Sequence, residues 1–225
     1  MQDFPAARLN MVESQLRVNA VIDFDLLEAF AEVPRELFVP EMRRSLAYMD
    51  ECVKIADVAG PHKRPRFLME PRVFGKMLQL ADVQPTDVVL DIGCGSGYSS
   101  AILAKLATHV TALEDDPELA RLASEAMQTL GLSNVELQVT NDLSQGYAKR
   151  APYDVIVVNG SVEHVPEAWI SQLAEGGRLV SIVGNGARGR AKLFLRADGK
   201  ASARDAFDAN VTALPGFELE EGFAF

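Results

Sequence analysis

Residues 88–100 read VVLDIGCGSGYSS. Five apolar or acidic residues of strand type run straight into glycines at 93, 95 and 97, and an apolar periodic segment, YSSAILAKLA, follows at once. A strand, a glycine turn and a helix in that order mark the first unit of an α/β fold. The glycines let the backbone approach a ligand, and the free N–H groups of the next helix face it. The loop is neither of two common phosphate-binding types. A Walker loop needs Gly-Lys followed by Ser or Thr, and the dinucleotide fingerprint needs its third glycine one residue later.

Outward from this stretch the same alternation continues. Strand-type runs HVTALE (109–114), VELQV (135–139), YDVIVVN (153–159) and RLVSIVG (178–184) are separated by helical segments. These are PELARLASEAMQTLG, stopped by Gly131, and PEAWISQLAEGG. The pattern predicts a mostly parallel, doubly wound sheet with helices on both faces and a ligand site at the carboxyl ends of the strands. A final stretch, KLFLRADGKASARDAFDANV, predicts an antiparallel hairpin turning at Asp198-Gly199. Upstream, helical spacing from Met11 to Phe38 predicts two extra helices, and VFGKMLQLADV after Pro71 predicts another. Residues 49–66 show little periodicity and read as a loop. We expect a single domain over 1–225, with N-terminal helices and a substrate-side loop in 1–72 and the nucleotide-binding core in 73–225.

Composition sets bounds on function. The chain has 225 residues, 48% apolar and 24% charged, which suits an independently folding globular domain. A formal charge of −10 disfavours broad attraction to nucleic acid or anionic lipid. Cys52 and Cys94 make no metal-ligand spacing with His62, His109 or His164, so no metal is expected. The N-terminus lacks a signal-peptide core and no apolar run approaches the ~18 residues of a membrane span, so the expectation is a cytoplasmic protein, monomeric by default.

Carboxylates narrow the ligand. Glu114 ends the second core strand, where a carboxylate accepts both hydroxyls of a ribose. Asp142 after the third strand reads either as an acceptor for an adenine amino group or as a turn cap. Asp91 stands before the glycines and can face a cationic ligand end. The set suits S-adenosylmethionine (SAM), a nucleoside without phosphate that carries a sulfonium and an ammonium.

Those residues, together with VPRELFVPE (33–41), VTALEDDPEL, PYDVIVVNGSVEHVPEAWISQL and GGRLVSIVG, resemble the protein-L-isoaspartate O-methyltransferases, within the Rossmann-like, class I SAM-dependent methyltransferases. The resemblance covers nearly the whole chain. It implies a cofactor site of Asp91, Gly93, Gly95, Gly97, Tyr98, Glu114, Asp142 and Asn159. It also implies methyl transfer to the abnormal carboxylate of isoaspartyl residues in damaged peptides and proteins, a repair reaction. The acceptor side departs from the family. Where the family has a glycine-glutamine-threonine-isoleucine-serine run, this chain has Pro65, Arg66, Phe67, Leu68 and Met69. Where it has a threonine followed by small alanines and a proline, this chain has Asn159 to Glu163 and then His164.

Arg66, Met69 and Asn159 are therefore the acceptor-side candidates. Arg64 and Arg66 read either as a fork for a carboxylate, with His62, Lys63 and Arg72 nearby, or as a solvated loop face. Phe67, Leu68 and Met69 read as core or lid residues, and His164 as a surface residue. The changes leave open a different acceptor, or a family member that binds SAM or S-adenosylhomocysteine without transfer.

Overall fold

The computed structural model describes residues 3–57, 65–184 and 188–217. Its centre is a seven-stranded sheet in the order β5-β4-β3-β6-β7-β8-β9. The strands are β3 (Val88–Ile92), β4 (His109–Glu114), β5 (Val135–Val139), β6 (Tyr153–Val162), β7 (Leu173–Gly184), β8 (Gly189–Ala197) and β9 (Lys200–Asp208). β3 to β7 pair in parallel and β8 and β9 are antiparallel. Strand order reverses at β3, which lies between β4 and β6, and the carboxyl ends there are where a sheet of this order presents a ligand.

Alternate residues of the central strands feed opposite faces. Val89, Val110, Val155, Val157 and Val180 pack against α1 (Phe4–Met11), α2 (Phe24–Glu32), α3 (Pro71–Ala81) and α4 (Tyr98–Leu106). α5 (Pro117–Thr129) lies over Ala112 through Ala123 and Met127. On the other face Leu90, Ile92, Ile156 and Val158 meet Trp169 of α6 (Glu167–Ser171), with Leu214 and Phe217 from the segment after β9. The mostly parallel α/β sheet, its N-terminal helices and its antiparallel C-terminal strands stand as the sequence predicts.

Some boundaries differ. The first helix starts at Phe4, capped by Asp3, rather than at Met11. The segment PEAWISQLAEGG yields only the five-residue α6, because Leu173 already pairs with Tyr153 and opens β7. Residues 49–66 are not all loop. β1 (Val53–Ala56) and β2 (Arg66–Leu68) form a separate two-stranded antiparallel sheet with Val53 opposite Leu68, Lys54 opposite Phe67 and Ala56 opposite Arg66. Strands of three and four residues are too short for a periodic signal. At the opposite edge, Asp198 (φ 52°) and Gly199 (φ 69°) make the expected tight turn between β8 and β9. Among the described residues no helix is long and apolar enough to cross a membrane, and no cluster of His, Cys, Asp or Glu is arranged to hold a metal ion.

Candidate functional site

The crevice is built from the ends of β3, β4 and β6. β3 delivers Asp91 and then a turn in which Gly93, Gly95 and Gly97 have φ of +69°, +59° and +94°, a region that L side chains rarely enter. The turn starts α4 at Tyr98. β4 delivers Glu114, and an irregular register in β6 between Val157 and Ser161 places Asn159 beside Asp91.

Asp91 is fully buried and its carboxylate is satisfied from within the chain. Ser99 and Ser100 donate their hydroxyls to Oδ2 at 2.7 and 2.5 Å, and the Asn159 amide donates to Oδ1 at 2.6 Å. Burial raises its pKa above the ordinary value, against the pull of those three donors.

Glu114 is also fully buried, and here the side chain that meets it is unexpected. Arg66 of β2 lies across it as a fork, Nη1 to Oε1 at 2.7 Å and Nη2 to Oε2 at 2.9 Å. Backbone N–H groups complete the shell: Gly95 donates to Oε2 at 2.6 Å, and Asp115 and Asp116 donate to Oε1 at 3.1 Å each. Arg66 also donates to Asp115 at 2.8 Å and to the Gly93 carbonyl at 3.3 Å. Burial opposes the guanidinium charge, but Glu114 and Asp115 outweigh it and hold the Arg66 pKa above its ordinary value. Burial pushes the Glu114 carboxyl up to about 6 even with Arg66 beside it. Arg66 is 5% exposed, so it is not a solvated loop face. His62, Lys63 and Arg64 lie outside the described residues.

The glycine turn is covered as well. A Cβ on Gly93 would meet Leu214 at 2.7 Å and Arg66 at 3.5 Å, one on Gly95 would meet Ile55 of β1 at 2.8 Å, and one on Gly160 would meet Leu214 at 2.7 Å. Leu214 is held there by the strand-like backbone pairing of Ser161 with residues 212–214. Among the described residues two small crevices stand here, one lined by Arg66, Met69 and Asn159 and the other by Met69, Asn159 and Tyr98, of about 20 Å³ each, room for about one water molecule apiece. In this conformation the residues do not fit a nucleoside cofactor. Glu114 is saturated, and the glycine face is filled by side chains of the same chain.

The other candidates fall into two groups. Tyr98 is a core residue, packed edge-on against Phe38 and Phe30 and lying 4.7 Å beneath the Arg35 guanidinium. Asp142 caps a short turn, taking the Ser144 N–H at 2.9 Å. Met69 and Asn159 do share a wall with Arg66, whereas His164 is exposed. Sequence reasoning missed Arg35. It is fully buried and donates to the carbonyls of Ala47 and Met69 at 2.7 Å each, so it pins the segment between β2 and α3. Its signal was present in VPRELFVPE, an arginine set between apolar residues and two prolines.

Comparison with known proteins agrees with this architecture. The family model described as Protein-L-isoaspartate(D-aspartate) O-methyltransferase (PCMT) matches residues 7–214. A protein-L-isoaspartate O-methyltransferase of Protochlamydia amoebophila is 41% identical over 174 residues, covering 77% of this chain and 79% of its own length. That of Aeropyrum pernix is 42% identical over 181 residues, 79% of this chain and 67% of its own length. A solved protein-L-isoaspartate O-methyltransferase superposes with a TM-score of 0.82 at 25% identity, covering 94% of this chain and 67% of that one. A Plasmodium falciparum structure described as a protein of this type in complex with S-adenosyl-L-homocysteine gives 0.74 at 21% identity, covering 92% and 97%, and bears on the fold alone.

Proposed function

Because the chain belongs to the protein-L-isoaspartate O-methyltransferase family of SAM-dependent methyltransferases, we propose that it methylates an isoaspartyl-type side-chain carboxylate in peptides or proteins, from a form in which Arg66 has left Glu114. One observation carries the reading. Asp91, the three glycines of positive φ and Glu114 stand together at the carboxyl ends of β3 and β4, the place where a parallel sheet of this order presents a ligand. An isoaspartyl carboxylate is ionised at neutral pH and is a competent nucleophile without a general base. The protein's contribution is then to hold and orient the acceptor and to exclude water, which wall residues such as Met69 and Phe67 are suited to do. With methionine where the family has serine, a positioning hydroxyl is absent. Loss of one such donor lowers rates by roughly 10² to 10³, so slow turnover is expected. The charge of −10 suits a protein that acts on polypeptides rather than on nucleic acid.

A second reading rests on the saturated Glu114: a family member that has given up SAM and keeps the fold for another purpose. One experiment separates them. Methyl-labelled SAM is incubated with two peptides that differ only in isoaspartyl or aspartyl linkage, with calorimetry of SAM on the same sample. Base-labile label on the isoaspartyl peptide alone supports the proposed function. SAM binding without label on either peptide rejects it, and no binding at millimolar SAM supports the second reading.

A further inference from the structure

We infer that Arg66 is an internal ligand of the cofactor acid, which competes with SAM for Glu114, and that β1 and β2 together form the cover that SAM must displace. The inference rests on the reading of this crevice as the SAM site.

The chemistry of the two occupants is alike at the point of contact. A ribose diol offers a carboxylate two adjacent donors, and a guanidinium offers the same two in a planar fork, with a full positive charge added. Arg66 uses both, at 2.7 and 2.9 Å. With Gly95, Asp115 and Asp116 also donating, the Glu114 carboxylate has five hydrogen bonds. A carboxylate has about four lone-pair sites, so no capacity is left for a diol while Arg66 stays.

The cover is more than one side chain. Ile55 of β1 stands over Gly95 while Arg66 of β2 stands over Gly93, so the two strands lie on the glycine turn as a unit. They belong to a sheet of their own and, among the described residues, share no ladder with the seven-stranded sheet. Their attachment at this end is the Arg66 ion pair and side-chain packing, which can be exchanged without breaking the main sheet.

The test is the affinity of SAM and S-adenosylhomocysteine for the full chain, by calorimetry, in wild type and in Arg66→Ala, Arg66→Gln and Arg66→Lys. Arg66→Gln keeps a polar side chain of similar length without the charge and serves if Arg66→Ala fails to fold, as judged by circular dichroism. Removing the fork is expected to tighten binding by about tenfold or more, the scale of a charged hydrogen-bonded pair, with Arg66→Lys in between. The gain should be larger for ligands with an intact diol than for 2′-deoxy-S-adenosylhomocysteine, which offers the freed carboxylate one donor fewer. It should also vanish in Arg66→Gln combined with Glu114→Ala. Equal or weaker binding by a folded Arg66→Gln protein would overturn the inference. A gain in affinity without methyl transfer to any isoaspartyl peptide would uphold it and sink the proposed function; transfer with unchanged affinity would do the reverse.

Discussion

At the scale of single residues the site is governed by how buried charges are satisfied. Glu114 has an ordinary pKa of 4.5 that burial carries to about 6 in the fold. A raised carboxyl pKa means that the folded protein holds the proton more tightly than the unfolded chain. The group therefore adds stability as pH falls from about 6 to 4.5, and withdraws it as pH rises back through that window. Urea unfolding at pH 4.5 and 7 should show a stability loss on going to pH 7 that is smaller in Glu114→Gln than in wild type. The opposite order would mean that Arg66 and the three N–H groups outweigh burial. Arg35 gives a second prediction. Replacement by Met removes two buried donors, leaves the carbonyls of Ala47 and Met69 without those bonds and loses the contact with Tyr98. It should cost roughly 2 to 4 kcal/mol in urea unfolding; a cost under about 0.5 kcal/mol would show that the segment before α3 is held by something else.

Among the elements, those with long, regular patterns were legible in the chain and the short ones were not. β3, β4 and β5 begin and end where their apolar runs do. α5 carries its own start and stop signals: Asp116 accepts the N–H groups of Glu118 and Leu119, and Gly131 (φ +64°) follows its end. Asp116→Ala should lower stability by about 1 kcal/mol, read as a drop in melting temperature that Asp116→Asn largely avoids. α6 and β7 were harder to divide, because apolar residues spaced for a helix there are overruled by pairing with β6. β1 and β2 escape any periodicity argument. Their place on the glycine turn comes from contacts distant in sequence, such as Arg66 with Glu114, 48 positions on.

Across the whole molecule the N-terminal helices and the sheet share one core. Met11, Leu16, Phe30, Phe74 and Tyr98 are joined by contact to Val89, Val155 and Val180, so the layers should unfold together. Trp169, the single tryptophan, sits on the opposite face of the sheet and is fully buried with its Nε1 donating to the Leu143 carbonyl. Its fluorescence and far-UV circular dichroism should give coincident urea transitions. Separate midpoints would instead divide the N-terminal helices from the core.

The amino-acid sequence by itself determined the mostly parallel sheet, the succession of its strands and helices along the chain, the family, and the three glycines and two acids that stand together at the ends of β3 and β4. These are written in local patterns: short apolar or β-branched runs, period-3.6 helices, and glycines at turns that other residues enter only with strain. It also flagged Arg66 and Met69 as departures, but not what Arg66 does. Only the tertiary structure decided that, because the partner of a buried charge is chosen by which groups the fold brings within hydrogen-bonding reach. A solvated arginine and one clamped on Glu114 look the same in a string of letters. They differ in whether the guanidinium, once stripped of water, finds a carboxylate facing it, and here β1, β2 and the end of β4 meet so that it does.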